Sequence, residues 1–359
     1  MKLPKAKIIN AEKYQVGLNT VGKKIAKIKL SANESALGPS PKSVKEYSKI
    51  SKSFSRYPAE DSMLKNILAK KFKLDPKRLI LGSGSDQILE LICKAFLKKN
   101  DEVIVTKYSF IVYKIYSKIN GAKIKYAKEQ NYTASIKNIL SLVTKKTKII
   151  FLANPNNPTS TYVKKKNLLI LRKKLRSDIL LVIDDAYFEY VKNNDYSSGL
   201  KLFSKSKNVI ITRTFSKIYG LAGLRIGWGY SSKKIIESLT LIKPPFNVNK
   251  PALYTACAAI KDVKWLKKEI EHINRWRKTM FKYFQNLEIE TNEGSANFLL
   301  INFNRKKINS IKVFKELAKI GILVRKMDIY GIKNSLRVTI GKAKENKKFC
   351  ENLKKIIND

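Results

Sequence analysis

Short apolar runs alternate with amphipathic segments between about residues 60 and 240 of this 359-residue chain. Six apolar runs predict β-strands, at 79–81, 102–105, 147–152, 179–183, 209–211 and 225–230. Apolar positions at helical spacing predict helices near 62–72, 86–97, 111–119, 164–176 and 231–242. Strands and helices in alternation are typical of an α/β fold around a largely parallel sheet.

The pattern changes after Pro244 and Pro245. A long helix is predicted at 263–285, followed by strands at 298–303 and 335–340 and helices at 310–319 and 344–357. This order is typical of a smaller α+β layer. We therefore predict three parts, namely an N-terminal arm at 1–40 that joins the small domain, a large domain at 41–245 and a small domain at 246–359.

The chain is strongly basic, with 74 Lys and Arg against 28 Asp and Glu and a formal net charge of +46. The excess is almost entirely lysine, because only 11 of these residues are arginine. The lysines are spread along the whole length, whereas nucleic-acid recognition favours arginine in local patches. We interpret the charge as a solvated surface that attracts small anionic molecules, and keep a basic nucleic-acid-binding protein as an alternative.

Cysteine and histidine are scarce. Cys93, Cys257 and Cys350 are far apart in the sequence, which offers neither a disulfide framework nor a Cys-x-x-Cys metal site. The single histidine, His272, lies in a charged helical stretch, so Ser-His-Asp triads and histidine-ligated zinc are excluded. No stretch has the length and hydropathy of a signal peptide or a membrane span. The sequence predicts a cytoplasmic protein without a metal site or membrane contact.

Polar side chains follow three of the predicted strands. One buried strand ends at Asp184, with Tyr187 close behind, and another leads into a proline-rich turn that presents Asn157. A third leads to Ser85 and Asp86 at a helix start, where free backbone amides suit a phosphate. Ligands bind at the carboxyl ends of parallel strands, so these residues are expected in one site. Taken singly, each could be a rim, turn or helix-capping residue.

Residues 212–227 contain the candidate nucleophile, Lys217. It lies between hydroxyl residues, Thr214 and Ser216, and is followed by two glycines and by Arg225 eight positions later. Glycines indicate a tight turn rather than a charged helix face. A lysine in such a turn can be desolvated, which lowers its pKa and suits it to Schiff-base chemistry. The alternative is one more surface lysine.

Taken in order, these motifs resemble the fold-type I pyridoxal-phosphate aminotransferases. They are Gly-Ser-Gly-Ser-Asp at 82–86, Asn-Pro-Asn-Asn-Pro-Thr at 154–159, Asp-x-Ala-Tyr at 184–187 and Thr-x-Ser-Lys at 214–217. Further segments, at 30–41, 56–58, 107–113, 321–325 and 336–341, are similar to the histidinol-phosphate aminotransferase subfamily. The resemblance runs from about residue 14 to 341 and implies a large domain with a mostly parallel sheet and a smaller α+β domain.

The resemblance implies pyridoxal 5′-phosphate as the cofactor. Lys217 would carry it covalently, Asp184 would pair with its ring nitrogen and Phe110 would stack on the ring. Asn157 and Tyr187 would hydrogen-bond to the phenolic oxygen. The phosphate would be held by the backbone amides of Ser85 and Asp86, by Thr214, Ser216 and Arg225, and by Tyr57 of the partner subunit in a two-fold homodimer.

The resemblance also implies the reaction, which is transfer of an amino group between L-histidinol phosphate and 2-oxoglutarate in histidine biosynthesis. Arg337 would bind the carboxylate of 2-oxoglutarate or glutamate, and Arg325, Arg337 or both would bind the substrate phosphate. Tyr14 and Asn33 belong to an arm that would lie over the site. The freed Lys217 would move the proton of the reacting carbon.

Two positions depart from the subfamily pattern. Ser160 stands where many relatives have glycine, and Tyr108 stands where proline is common. Two other enzymes of the same fold are therefore kept as alternative functions, an aromatic amino acid aminotransferase and a threonine-phosphate decarboxylase. The residues that bind the cofactor in these enzymes would look like those named above.

Overall fold

The computed structural model describes residues 20–21, 24–58, 61–306 and 308–358. Tyr14 lies outside these residues. Three short strands come first: Thr20–Val21 (β1), Lys24–Ile25 (β2) and Ile28–Lys29 (β3). The next seven form one sheet: Leu79–Gly82 (β4), Glu102–Thr106 (β5), Lys123–Ala127 (β6), Thr147–Ala153 (β7), Leu180–Asp184 (β8), Val209–Thr214 (β9) and Gly227–Tyr230 (β10).

This seven-stranded sheet has the order β4-β10-β9-β8-β7-β5-β6. The five strands from β9 to β6 are mutually parallel, and β10 is antiparallel to both of its neighbours. Successive residues of β8 face opposite sides, with Leu181 and Ile183 in one hydrophobic cluster and Leu180 and Val182 in the other. Burial on both faces explains the continuous apolar run in the sequence. The mostly parallel α/β sheet confirms the predicted fold class.

Twelve helices surround the sheets in the described residues. They are Pro41–Ile50 (α1), Ser62–Phe72 (α2), Gly84–Phe96 (α3), Ile111–Ile119 (α4), Ile136–Ser141 (α5), Lys165–Lys174 (α6), Gly199–Phe203 (α7), Lys233–Leu241 (α8), Lys250–Lys261 (α9), Val263–Asn286 (α10), Ser310–Lys319 (α11) and Ala343–Asn358 (α12). The helices predicted at 62–72, 111–119 and 310–319 begin and end as predicted. No helix in these ranges combines the length and the apolar composition needed to cross a membrane.

A second, antiparallel sheet is built from the later part of the chain. The remaining strands are Glu290–Thr291 (β11), Phe298–Asn302 (β12), Ile322–Leu323 (β13), Arg325–Lys326 (β14) and Ser335–Thr339 (β15). Four of them form the order β11-β12-β15-β14, and β13 pairs in parallel with β3. The segment after residue 27 is thereby joined to the later part of the chain. The three-part division of the chain stays a prediction.

The carboxyl ends of the parallel strands meet at one edge of the large sheet. Ala153 at the end of β7 is paired with Asp184 at the end of β8, and Asp184 is paired with Thr212 of β9. The segments that follow these strands carry Asn157, Tyr187 and Lys217. Strand pairing alone therefore brings together motifs that are far apart in the sequence.

Candidate active site

A cavity of about 250 Å³ lies at this edge. It brings together thirteen of the residues proposed from the sequence: Asn33, Ser85, Asp86, Phe110, Asn157, Asp184, Tyr187, Thr214, Ser216, Lys217, Arg225, Arg325 and Arg337. Tyr57 does not line it. Its side chain is 77% exposed and stacks on Phe246, with ring centroids 4.4 Å apart.

Lys217 lies in the turn that follows β9. Its carbonyl oxygen accepts a hydrogen bond from Gly220 N at 3.0 Å. Gly220 has a φ of +69°, and a Cβ there would collide with the backbone of Gly38. A glycine is therefore needed for the turn to approach the arm.

The environment of Lys217 favours its neutral amine. Burial lowers the pKa of Lys217 to about 8, and the positive charge of Arg337 acts in the same direction. Asp86 and Glu34 oppose this effect because their negative charges stabilise the ammonium form. The neutral amine, the form that a nucleophile or proton acceptor requires, is therefore a much larger fraction near neutral pH than in an ordinary lysine, although the ammonium form still predominates below the pKa.

Asp184 is buried and has one free oxygen. Its Oδ2 accepts a hydrogen bond from the Tyr113 hydroxyl at 2.8 Å, whereas Oδ1 has no hydrogen-bond partner among the described residues. Burial raises the pKa of Asp184 to about 6, against the effect of the Tyr113 hydrogen bond. The next residue, Asp185, has a cationic partner, because Arg213 Nη2 lies 3.4 Å from Asp185 Oδ2.

One corner of the cavity is formed by the start of α3 and by Arg225. The Arg225 guanidinium lies 3.3 Å from the Asp86 carboxylate and donates to Ser216 Oγ at 3.2 Å. Gly84 has a φ of +77°, and a Cβ at this position would collide with the guanidinium. Two further groups line the same corner, Ser85 and Thr214. Free helix amides, hydroxyls and a guanidinium together suit a phosphate.

A second basic group lies on the antiparallel sheet. Arg325 of β14 is the register partner of Arg337 of β15, and both side chains are buried. Arg337 donates to Asn157 Oδ1 at 2.5 Å and to Ser31 O at 3.0 Å. Two guanidinium groups next to each other suit a carboxylate or a phosphate on a small molecule.

The arm contributes one wall. Asn33 Nδ2 donates to the Tyr187 hydroxyl at 3.1 Å, and burial raises the pKa of Tyr187 to about 12. The arm is held from outside by Glu269 of α10, which accepts hydrogen bonds from Ser35 Oγ at 2.9 Å and from the amides of residues 36 and 37, both at 3.1 Å. Tyr187 is therefore neutral and positioned by the arm.

Sequence reasoning missed several residues of the cavity, notably Tyr113 and Tyr330. Tyr113 follows Phe110, the residue that precedes α4, by three positions, and the two ring centroids lie 5.6 Å apart, so the short spacing was an available signal. Burial raises the pKa of Tyr330, with Arg337 and Arg325 opposing. Its position beside both arginines follows from the pairing of β14 with β15, which no local pattern reveals.

Comparison with known proteins agrees with this geometry. The family model for aminotransferase class I and II matches residues 25–353, and the chain belongs to this family. The chain is 49% identical, over the full length of both proteins, to histidinol-phosphate aminotransferase of Pelagibacter ubique. It is 37% identical to the enzyme of the same name from Rhodopseudomonas palustris strain TIE-1, over 99% of this chain and 98% of the relative.

Solved structures show the same fold. Histidinol-phosphate aminotransferase from Sinorhizobium meliloti, in complex with pyridoxal-5′-phosphate, is similar with a TM-score of 0.87 and 22% identity, covering 93% of this chain and 92% of that one. Aspartate aminotransferase from Thermus thermophilus with maleate is similar with a TM-score of 0.82 and 18% identity, covering 92% of each chain. The fold is that of the fold-type I aminotransferases, and the protein is an aminotransferase.

Proposed function

We propose that this aminotransferase uses pyridoxal 5′-phosphate to transfer an amino group between L-histidinol phosphate and 2-oxoglutarate, giving imidazole acetol phosphate and L-glutamate. One observation carries the proposal. A single cavity is lined by Lys217 and by two separate groups of polar side chains, one that includes Arg225 and one that includes Arg337. The first group suits the phosphate of a cofactor, and the second suits the anionic end of a substrate.

The residues present fit the cofactor. Asp184 Oδ1 is buried without a partner, so it is free to accept a hydrogen bond from a ring nitrogen. The absence of a side chain at Gly84 lets the backbone approach the Arg225 guanidinium, as a phosphate cradle requires. Lys217 supplies the amine that an aldehyde needs.

Each group of the cavity then has a role. Lys217 would attach the cofactor, Asp184 would hold the ring nitrogen in its protonated form and Phe110 would stack on the ring. Asn157 and Tyr187 would donate hydrogen bonds to the phenolic oxygen. The phosphate would be held by the backbone amides of Ser85 and Asp86 and by the side chains of Thr214, Ser216 and Arg225. When bound, pyridoxal 5′-phosphate supplies an aldehyde that takes the substrate's amino group and a ring that withdraws electrons from the adjacent carbon.

The chain itself binds and moves protons. Arg337, with Arg325, would fix the phosphate or carboxylate of the substrate, which orients the reacting carbon toward Lys217. Lys217 Nζ, once released from the cofactor by the amino group of the substrate, would accept the proton of that carbon and donate it, as a general acid, to the carbon that carried the aldehyde. Asn33 and the arm would cover the site and exclude water. No histidine is needed for these steps.

The oligomeric state is part of the proposal. Three further apolar side chains are exposed, namely Phe54, Leu241 and Phe246, and Phe246 stacks on the exposed Tyr57. We propose that a second copy of the chain covers them in a two-fold homodimer, in which Tyr57 of the partner subunit reaches the cofactor phosphate. Mixing Tyr57→Ala and Lys217→Ala subunits should restore part of the activity, because one intact site can form in the mixed dimer. The cytoplasmic location stays a prediction.

Absorbance of the cofactor-loaded protein tests the proposed substrate. Candidate amino donors are added one at a time, and L-histidinol phosphate is expected to change the spectrum at low concentration, with 2-oxoglutarate reversing the change. A response to phenylalanine or threonine phosphate but not to histidinol phosphate would assign the protein to one of the two alternatives. A colourless protein whose DNA affinity falls steeply with salt would instead support nucleic-acid binding.

A further inference from the structure

Ser160 lies at a contact between two distant parts of the chain. It belongs to the turn at residues 154–161, here called the asparagine turn, which also presents Asn157. Its hydroxyl oxygen accepts hydrogen bonds from Ser295 N and Ala296 N, both at 2.9 Å. These amides belong to residues 292–297, here called the linker, which lead directly into β12.

The conformation of Ser160 is unusual for a residue with a side chain. Its φ is +60°, in the left-handed region that favours glycine, and the residue is fully buried. The position would therefore accept a glycine more easily than a serine. The hydroxyl offsets this cost because it satisfies two buried backbone amides that would otherwise lack an acceptor.

The linker is closely fitted to this hydroxyl. A Cβ at Gly294 would lie only 2.6 Å from Ser160 Oγ, so the linker has no room for a side chain there. Asn292 of the linker adds a second contact, because its Nδ2 donates to Thr159 O at 3.2 Å. The asparagine turn is thus held to the linker by neighbouring hydrogen bonds.

The linker also contacts the arm that forms one wall of the cavity. Asn297 Nδ2 donates to Asn33 O at 3.2 Å and to Glu34 O at 3.0 Å. Beyond the linker, Leu300 of β12 is the register partner of Arg337 on β15. The linker therefore connects the asparagine turn, the arm and the strand that carries Arg337.

We infer that Ser160 is a positioning residue, whose hydroxyl sets the asparagine turn on the linker and thereby holds Asn157 against Arg337. The Asn157–Arg337 hydrogen bond joins a side chain of the turn to a side chain of the second sheet. The geometry of this hydrogen bond depends on how these two parts are docked, and the hydroxyl of Ser160, three residues after Asn157, binds two backbone amides across that junction. The kinetic consequence rests on the proposed function, since it takes Arg337 as the group that binds the substrate anion.

Two variants separate the hydroxyl from the backbone conformation. Ser160→Ala removes the hydroxyl and keeps the unfavourable φ, whereas Ser160→Gly removes both. If the hydroxyl positions the site, both variants raise KM for the anionic substrates roughly tenfold, with a smaller change in kcat. If only backbone strain matters, Ser160→Gly has the same KM as the wild-type protein or a lower one, which overturns the inference.

Ser135→Ala is the matched control. Ser135 is also a buried serine whose Oγ accepts a backbone hydrogen bond, from Asn138 N at 3.4 Å at the start of α5, and it does not line the cavity. Its loss is expected to lower stability without changing KM. Equal changes of KM in this control and in Ser160→Ala would show a general loss of stability and would refute a positioning role.

Hydrogen exchange supplies a readout that needs no turnover. Peptides covering the linker should exchange faster in both Ser160 variants of the cofactor-loaded protein, while peptides from α5 should not. Unchanged exchange in the linker would overturn the inference. Hydrogen exchange in the linker could rise in the Ser160 variants even though the wild-type protein does not react with histidinol phosphate. In that case the proposed function fails while the structural role of Ser160 stands.

Discussion

Tyr113 donates a hydrogen bond to Oδ2 of Asp184 at 2.8 Å, and the other oxygen of this carboxylate is free. Tyr113 also stacks on Phe151, with ring centroids 4.9 Å apart, so the direction of its hydroxyl is set by packing. The hydrogen bond favours the charged form of Asp184, whereas burial disfavours it. The carboxylate is therefore kept ionised at neutral pH partly by a residue that no cofactor motif contains.

Replacement of Tyr113 by phenylalanine should raise the pKa of Asp184. The folded-state pKa, about 6 in the unchanged protein, is already above the ordinary value, so losing the hydrogen bond moves it further upward. Less carboxylate is then available at neutral pH to pair with the ring nitrogen. We expect affinity for pyridoxal 5′-phosphate to fall roughly tenfold and its loss on acidification to begin at higher pH. Equilibrium titration with pyridoxal 5′-phosphate at pH values from 5 to 8 measures both the affinity and its pH dependence. An unchanged pH profile would contradict the prediction.

Lys217 should control the covalent attachment of the cofactor. Because burial lowers its pKa to about 8, the neutral amine increases as pH rises and is half formed near that value. In cofactor-free protein, the rate of attachment should therefore rise from about pH 6 through pH 8 and level off roughly one to two pH units above the pKa. Borohydride reduction followed by peptide mass analysis identifies the modified residue.

The variant Lys217→Ala should lose kcat by a factor of about 10² to 10⁴, the usual contribution of a general acid-base group, or more. The exposed Lys205 provides the control, since Lys205→Ala should leave both attachment and turnover unchanged. A reduced cofactor found on another lysine would contradict the assignment.

Arg337 should contribute to binding of both substrates. Charge-assisted hydrogen bonds contribute about 1.5–3 kcal/mol, so Arg337→Gln should raise KM by roughly 10- to 100-fold. The neighbouring Arg325→Gln variant shows whether the two arginines share the anion. Steady-state kinetics with histidinol phosphate and 2-oxoglutarate give the values, and an unchanged KM for both substrates in Arg337→Gln would exclude Arg337 from the site.

The buried pair of Arg213 and Asp185 should be important for stability rather than chemistry. Both side chains are almost fully buried, and Asp185 also accepts hydrogen bonds from the backbone at the start of α7. Arg213→Met leaves the carboxylate without its cation, which typically lowers the free energy of unfolding by about 3–5 kcal/mol. Glu237→Gln, which breaks the exposed pair with Lys233, should change it by less than about 1 kcal/mol. Urea denaturation measures the free energy of unfolding of both variants.

The large sheet could be predicted from the sequence because its central strands are buried on both faces and therefore read as continuous apolar runs. The strand Lys123–Ala127 was missed for the opposite reason. It lies at the sheet edge, where lysine is exposed and the apolar signal is weak. Helix Lys250–Lys261 was also missed, since Pro244 and Pro245 suggested a boundary there and Pro251 lies in its first turn, a position that proline tolerates.

Local sequence alone determined the class of chemistry. Each candidate cofactor motif is a short turn at a strand end or helix start, whose conformation depends on its own glycines, prolines and hydroxyls. The linear sequence is therefore enough to propose Lys217, Asp184 and Asn157 as site residues, and all three line the cavity. Only the tertiary structure decided which distant groups meet: Tyr113 with Asp184, Arg337 with Asn157 and Ser160 with the linker. The residues in these contacts are 71, 180 and at least 135 positions apart, respectively. They follow from strand pairing and packing, which a linear pattern does not contain.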